Sequence, residues 1–140
     1  MAPLNKFNSF TEDITEKVHN LGADTLKVFL TATAPVATNT IKDNIGELAP
    51  GVGYTGGGTQ ATTTSSAQTS GTYKLVLGDV VFTATGTMGP FRYVVLYNST
   101  PTSPKEPLIG WYDYTSSVTL ANGESFTTDF DAVNGVLTLA

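Results

Sequence analysis

The chain has no cysteine and a single histidine. Disulfides, thiolate metal centres and Cys–His nucleophile pairs are therefore excluded, and any Ser–His–Asp arrangement would have to be built on His19. The lack of cysteine fits assembly in a reducing cytoplasm. Charge is also sparse: Asp, Glu, Lys and Arg make up 14% of 140 residues, with a net charge of -5. The seven basic residues are scattered, so there is no footprint for binding a phosphate backbone, and no nucleic-acid partner is expected. No stretch approaches the roughly 20 apolar residues needed to cross a bilayer. Residues 1–10 lack a basic start followed by an apolar run. The expectation is a soluble chain of cytosolic synthesis with neither signal peptide nor membrane partner.

What is present is a series of short β-type segments. Tyr73 to Leu77 is followed by Gly78-Asp79 and then by Val80 to Thr85. A break at residues 86–90 precedes Phe91-Arg92-Tyr93-Val94-Val95-Leu96-Tyr97. β-branched and aromatic residues bounded by Gly, Asn, Asp and Pro at short intervals mark an antiparallel sandwich or barrel. The expected fold is mainly β: one antiparallel β-sandwich or barrel, jelly-roll or immunoglobulin-like, with a short N-terminal helix. At 140 residues the chain can bury a core of its own as one domain.

The helix is predicted over residues 9–21. Phe7, Phe10, Ile14, Val18 and Leu21 form one apolar stripe, Ser9 with Glu12 fits a capping box, and Gly22 is placed as a stop. Lys17 and His19 then fall in the last turn, where cations suit the helix dipole. Residues 1–22 thus read as an arm plus amphipathic helix, and 23–140 as the β domain. Within that domain residues 25–31 form a strand with Leu26, Val28 and Leu30 on one face. Residues 32–58 read as a long loop with one helical turn near 43–48, and residues 98–107, with three prolines, as a second loop. Residues 59–66 suit either an edge strand or a mobile segment, and residues 108–114 a strand carrying Trp111. Asn122-Gly123 predicts a hairpin joining residues 117–120 to 125–130, and Asn134-Gly135 precedes a last strand at 136–139.

Four constellations invite a chemical reading. Gly51 to Gly56 matches G-x-G-x-x-G, but neither a strand before it nor a helix within it is indicated, so a close-packed loop is the better reading. His19 reads as a helix-end charge rather than a catalytic base. Asp129, Asp131 and Asn134 resemble part of a calcium loop without its terminal Glu, and solvent-facing carboxylates plus a turn explain them better. Trp111, Asp113 and the neighbouring Tyr112 and Tyr114 suggest a sugar platform, although one face of that strand is needed for the core. No catalytic, cofactor-binding or metal residue is assigned, no cofactor is expected, and the chain does not read as an enzyme.

Several longer stretches resemble a family of small tailed-bacteriophage virion proteins: Asp24-Thr25-Leu26-Lys27-Val28 with Ala34-Pro35-Val36-Ala37-Thr38-Asn39-Thr40, Gly53-Tyr54-Thr55-Gly56-Gly57-Gly58, residues 89–98, Pro107-Leu108-Ile109-Gly110-Trp111 and Gly135-Val136-Leu137-Thr138-Leu139. The resemblance spans most of the chain, and its motifs are structural rather than chemical. It implies a virion structural protein, preferentially a capsid decoration (cement) protein. Such a protein would bind the major capsid protein on the outer head surface, stabilise the head and act as a homotrimer. A tail, fibre or head-tail component, or a carbohydrate-binding module on the virion, is the alternative. The segments expected to touch neighbours are residues 1–8, 32–58 and 98–107.

Overall fold

The computed structural model describes residues 3–140; positions 1 and 2 of the expected arm lie outside the described residues. The elements in chain order are β1 (Asn5–Lys6), α1 (Asn8–Thr15), β2 (Leu26–Thr31), a 3-10 turn (Lys42–Asn44), β3 (Thr59–Ala61), β4 (Thr63–Thr69) and β5 (Thr72–Leu77). They continue with β6 (Val80–Thr83), β7 (Met88–Asn98), β8 (Leu108–Leu120), β9 (Ser125–Thr128) and β10 (Leu137–Leu139). The protein is mainly β with one short N-terminal helix, as the sequence indicates. The strands form a five-stranded sheet in the order β1-β8-β7-β2-β3, a three-stranded sheet β10-β5-β4 and the pair β6-β9. All pairings are antiparallel, and the arrangement is sandwich-like.

The middle of the five-stranded sheet is buried on both faces. Leu26, Val28 and Leu30 of β2 and Val94 and Leu96 of β7 share one core with Leu75 and Leu77 of β5, Phe82 of β6 and Phe126 of β9. Aromatic pairs bridge these elements, with Phe91 edge-on to Phe126 at 5.0 Å and Tyr54 beside Phe82 at 5.9 Å. On the opposite face Phe29, Val95, Tyr97 and Leu108 form a second cluster with Phe7 and Ile45, and Trp111 packs against it. Each such side chain contributes about 1.5–3 kcal/mol by leaving water. Double-sided burial explains why Val94 to Tyr97 is continuously apolar instead of alternating.

The helix is shorter than the apolar stripe suggests. It stops at Thr15, and Lys17 adopts a left-handed φ of 66°. The Val18 N–H then donates to the Asp13 carbonyl at 2.9 Å, the closing bond of a Schellman turn. Thr15 Oγ1 bonds back to Glu12 O at 2.9 Å, the carbonyl that also accepts the Glu16 N–H. The expected capping box is also absent: Phe7 is the N-cap without a side-chain bond, and Ser9 lies inside the helix. The segment expected as an arm is tied into the body, since β1 pairs with β8 and Phe7 is fully buried.

The predicted hairpin at Asn122-Gly123 does not form. Leu120 at the end of β8 pairs with Met88 of β7, whereas β9 pairs with β6. The tight turn carries the chain from one sheet to another. Residues 108–114 and 117–120, read as separate strands, are one strand, β8, with Thr115 at φ 72° absorbing the bend.

Candidate interaction site

The long segment 32–58 does not stand free. Glu47 organises its second half: Oε1 accepts from Lys42 Nζ at 2.7 Å, and Oε2 accepts from the Tyr54 hydroxyl and the Gly57 N–H, both at 2.6 Å. Burial would raise the Glu47 carboxyl, but hydrogen bonds from Lys42, Tyr54 and Gly57 outweigh it and hold it below the ordinary value. Tyr54 in turn accepts the Leu30 N–H at 3.2 Å, and Leu48 N donates to Leu30 O at 2.8 Å. The backbone of β2 beyond the end of β3 is thus satisfied by the loop, which covers that sheet edge. The segment still presents apolar side chains to solvent, with Val36 53% and Val52 44% exposed. The second loop is also pinned, by Ser99 N to Thr25 O at 3.0 Å and Thr25 N to Thr100 Oγ1 at 2.8 Å.

His19 is not a solvent-facing helix-end charge. The helix ends before it, and the ring is buried, 5.2 Å from Phe10 between ring centroids. The Asn98 amide is fixed by Thr100 N donating to Oδ1 at 3.1 Å, and its Nδ2 donates to Asp24 Oδ2 at 2.6 Å and to His19 Nδ1 at 3.1 Å. Nδ1 is therefore an acceptor, the neutral ring carries its proton on Nε2, and Nε2 has no partner. Burial lowers the His19 pKa from 6.5 to about 4 against an upward pull from Asp24.

This predicts an acid-sensitive stability. The unfolded chain protonates its histidine near pH 6.5 and the folded chain near 4, so the unfolded state holds more protons between those values. Stability is complete above about pH 6.5 and falls as the pH drops toward 4, by about 2 kcal/mol after allowance for solvent screening. Urea midpoints between pH 7.5 and 5 measure it, in a window where the depressed carboxylates do not titrate. His19→Gln should flatten that slope; an unchanged slope refutes the assignment.

The remaining sequence candidates resolve into structural roles. Gly51 to Gly56 lies in an irregular stretch followed by β3, with no helix at its end. Asp131 Oδ1 accepts from the N–H groups of Val133 at 2.9 Å and Asn134 at 2.8 Å, and its Oδ2 accepts from Asn134 Nδ2, which hold its pKa down. Asp129 is not part of that turn. Among the described residues no cluster of three His, Cys, Asp or Glu has the geometry to hold a metal ion. Asp113 is engaged bidentately by Arg92 at 2.8 and 3.0 Å, which lowers its pKa. Trp111 packs on Phe7 at 4.6 Å, Tyr112 is buried, and burial pushes its hydroxyl up to about 12. Tyr97 is buried and donates to the Gly57 carbonyl. Of the residues read as a sugar platform, Trp111 and Tyr112 are thus engaged in packing and Asp113 is already paired. Sequence reasoning missed Glu47, Asn98 and Asp24; Asn98, a polar residue closing the apolar run of β7, carried the clearest signal of a buried anchor.

An open groove of about 1060 Å³ lies between the α1 region and β10. Its walls are largely apolar, with Phe10 and Ile14 on one side and Leu137 and Leu139 on the other. His19, Lys6 and Lys17 also line it. Among the described residues no helix is long and apolar enough to cross a membrane. No family model matches this chain, and neither does any curated protein or solved structure.

Proposed function

We propose that the chain is a structural protein of a tailed-bacteriophage virion, acting as a decoration (cement) protein on the outer surface of the major capsid lattice. The observation that carries this reading is how several of its carboxylates are used. Glu47, Asp113, Asp131 and Asp24 are all occupied in holding backbone or neighbouring side chains of the same molecule. A body built this way offers shape and adhesion rather than turnover. Its irregular segments are pinned before any partner arrives, so little ordering entropy is lost on docking. Exposed apolar side chains on them, such as Val36 and Val52, suit contact with protein, and sparse charge keeps desolvation cheap. The resemblance of the Gly53 to Gly58 and 89–98 stretches to virion proteins supplies the setting. Many equivalent head sites would convert a modest single contact into lasting attachment, the more so for a homotrimer.

The test is sedimentation of purified protein with undecorated heads. Saturable binding at a fixed ratio to the major capsid protein is expected, with a trimer in analytical ultracentrifugation. Failure to associate with heads, together with recovery in isolated tails, refutes the head assignment.

A further inference from the structure

We propose that the groove beside α1 binds a single-chain anionic amphiphile, a long-chain carboxylate. Its hydrocarbon tail lies on the face of the β10-β5-β4 sheet, and its head group is drawn to Lys6 and Lys17. Three observations converge on that place.

The first is where the core is left open. Among the described residues six half-buried hydrophobic side chains pack against the main core, and four of them, Leu4, Ile14, Tyr73 and Leu137, line this groove. The incomplete cover of the core is thus concentrated between α1 and the three-stranded sheet. The space is about 1060 Å³, at the top of the roughly 300–1,000 Å³ range of small-molecule sites. An apolar occupant there removes already half-covered surface from water.

The second is the floor. Ser66 of β4 and Leu137 of β10 both pair with Leu75 of β5, and Leu139 pairs with Tyr73. Directly opposed residues share a face, so these groove-lining side chains stand on the face that carries Leu75 into the core. A sheet face offers side chains, because its backbone bonds run within the sheet. The polar pair on it is self-satisfied, with Ser66 Oγ and Tyr73 OH 2.8 Å apart. A peptide laid on this floor would bring backbone groups that need partners, whereas a hydrocarbon tail brings none.

The third is charge. Asp24, the one carboxylate on the lining, is used internally, accepting from the Asn20 N–H at 2.8 Å and from Asn98 Nδ2. Lys6 and Lys17 also line the groove, and among the described residues neither forms an ion pair. His19, on the same lining, carries an unpartnered Nε2. The uncompensated charge is therefore positive, in a chain whose net charge is -5. A second copy fits less well, since its exposed apolar side chains, such as Val36, Val81 and Val133, sit singly on separate segments.

The experiment uses the full chain and dodecanoate below its micelle concentration. Calorimetry is expected to give one site with a sub-millimolar Kd. Nuclear Overhauser contacts should join the chain methylenes to the methyl groups of Ile14 and Leu137. Octanoate should bind at least tenfold more weakly, since a fully buried methylene contributes about fourfold. Dodecyltrimethylammonium should bind at least tenfold more weakly, and Lys6→Gln with Lys17→Gln should weaken dodecanoate at least fivefold. Leu139 is 55% exposed, so Leu139→Glu should keep the urea midpoint while it weakens dodecanoate at least tenfold. The proposal is overturned by no saturable binding, by equal binding of octanoate or of the cationic amphiphile, or by unchanged binding in either variant. Sedimentation of the chain with phosphatidylcholine–phosphatidylglycerol vesicles overturns it in favour of a membrane surface. Self-association abolished by Leu139→Glu overturns it in favour of a second copy. No heads enter these measurements, so they and the head sedimentation fail independently.

Discussion

Replacing Gly58 with alanine is expected to unfold much of the protein, with a loss of about 4 kcal/mol or more. Gly58 has φ +77°, and a Cβ built there would lie 1.8 Å from the Val28 carbonyl oxygen and 2.7 Å from its carbon. Those atoms belong to the backbone of β2, where Val28 pairs with both Leu96 and Thr59, so they have no freedom to retreat. Relief would require moving either β2, an interior strand, or the turn that begins β3, and with it the cover over the sheet edge. Gly123 provides the internal control. Its φ is +89°, but nothing lies within 4 Å of the added methyl, so Gly123→Ala should cost only the left-handed backbone term, about 1–2 kcal/mol. Urea unfolding at neutral pH separates the two. Equal losses would show that β2 yields at Val28 and that steric contact is not what fixes this turn.

That close approach also shows where sequence reading works and where it ends. The Gly53-to-Gly58 stretch was legible as backbone that needs unusual freedom, because glycine density reports local φ. It was not legible that Gly58 meets Val28, thirty positions earlier, because nothing in a local pattern encodes a tertiary approach. The strands follow the same division. β5, β6 and β7 were readable from β-branched and aromatic runs, since those side chains fit a pleated surface. The pairing of β9 with β6 was not, because Asn122-Gly123 specifies a tight turn without specifying which strands it joins. The helix end was hidden for a related reason. Lys17 takes the left-handed position that glycine usually marks, so the apolar stripe ran on through Val18 to Leu21, which joins the core after the chain has already turned.

For the site, reading His19 as a helix-end charge misjudged it. A lone histidine on an amphipathic pattern has two environments open to it, and only Asn98 and Asp24, distant in sequence, decide between them. The groove was unreadable because its two walls come from opposite ends of the chain.

Glu47→Ala should cost about 3–4 kcal/mol, the range for removing one partner from a largely desolvated charge pair. Lys42 and Glu47 side chains are only 14% and 17% exposed. Truncating the carboxylate strands the Lys42 ammonium above Phe29 and Tyr97, at 5.2 and 5.9 Å from their ring centroids. It also leaves the Gly57 N–H and the Tyr54 hydroxyl without their acceptor, and Tyr54 is the group that caps the Leu30 N–H. The loss therefore spreads from the loop into β2, and hydrogen exchange at Leu30 and Gly57 should accelerate together. Removing both charges, as Lys42→Met with Glu47→Leu, should recover part of the loss, since the stranded cation disappears. The pH dependence has a defined sign. Glu47 has a folded pKa below the ordinary carboxylate value, so its stabilisation is full above that value and is lost as pH falls through the lowered one. Glu47→Gln should remove that acid limb while leaving the His19 limb at higher pH untouched. If Glu47→Ala costs under 1 kcal/mol, or exchange rises at Gly57 without rising at Leu30, the carboxylate does not link the loop to the sheet, and segment 32–58 is held by Ile45 and Tyr54 packing alone.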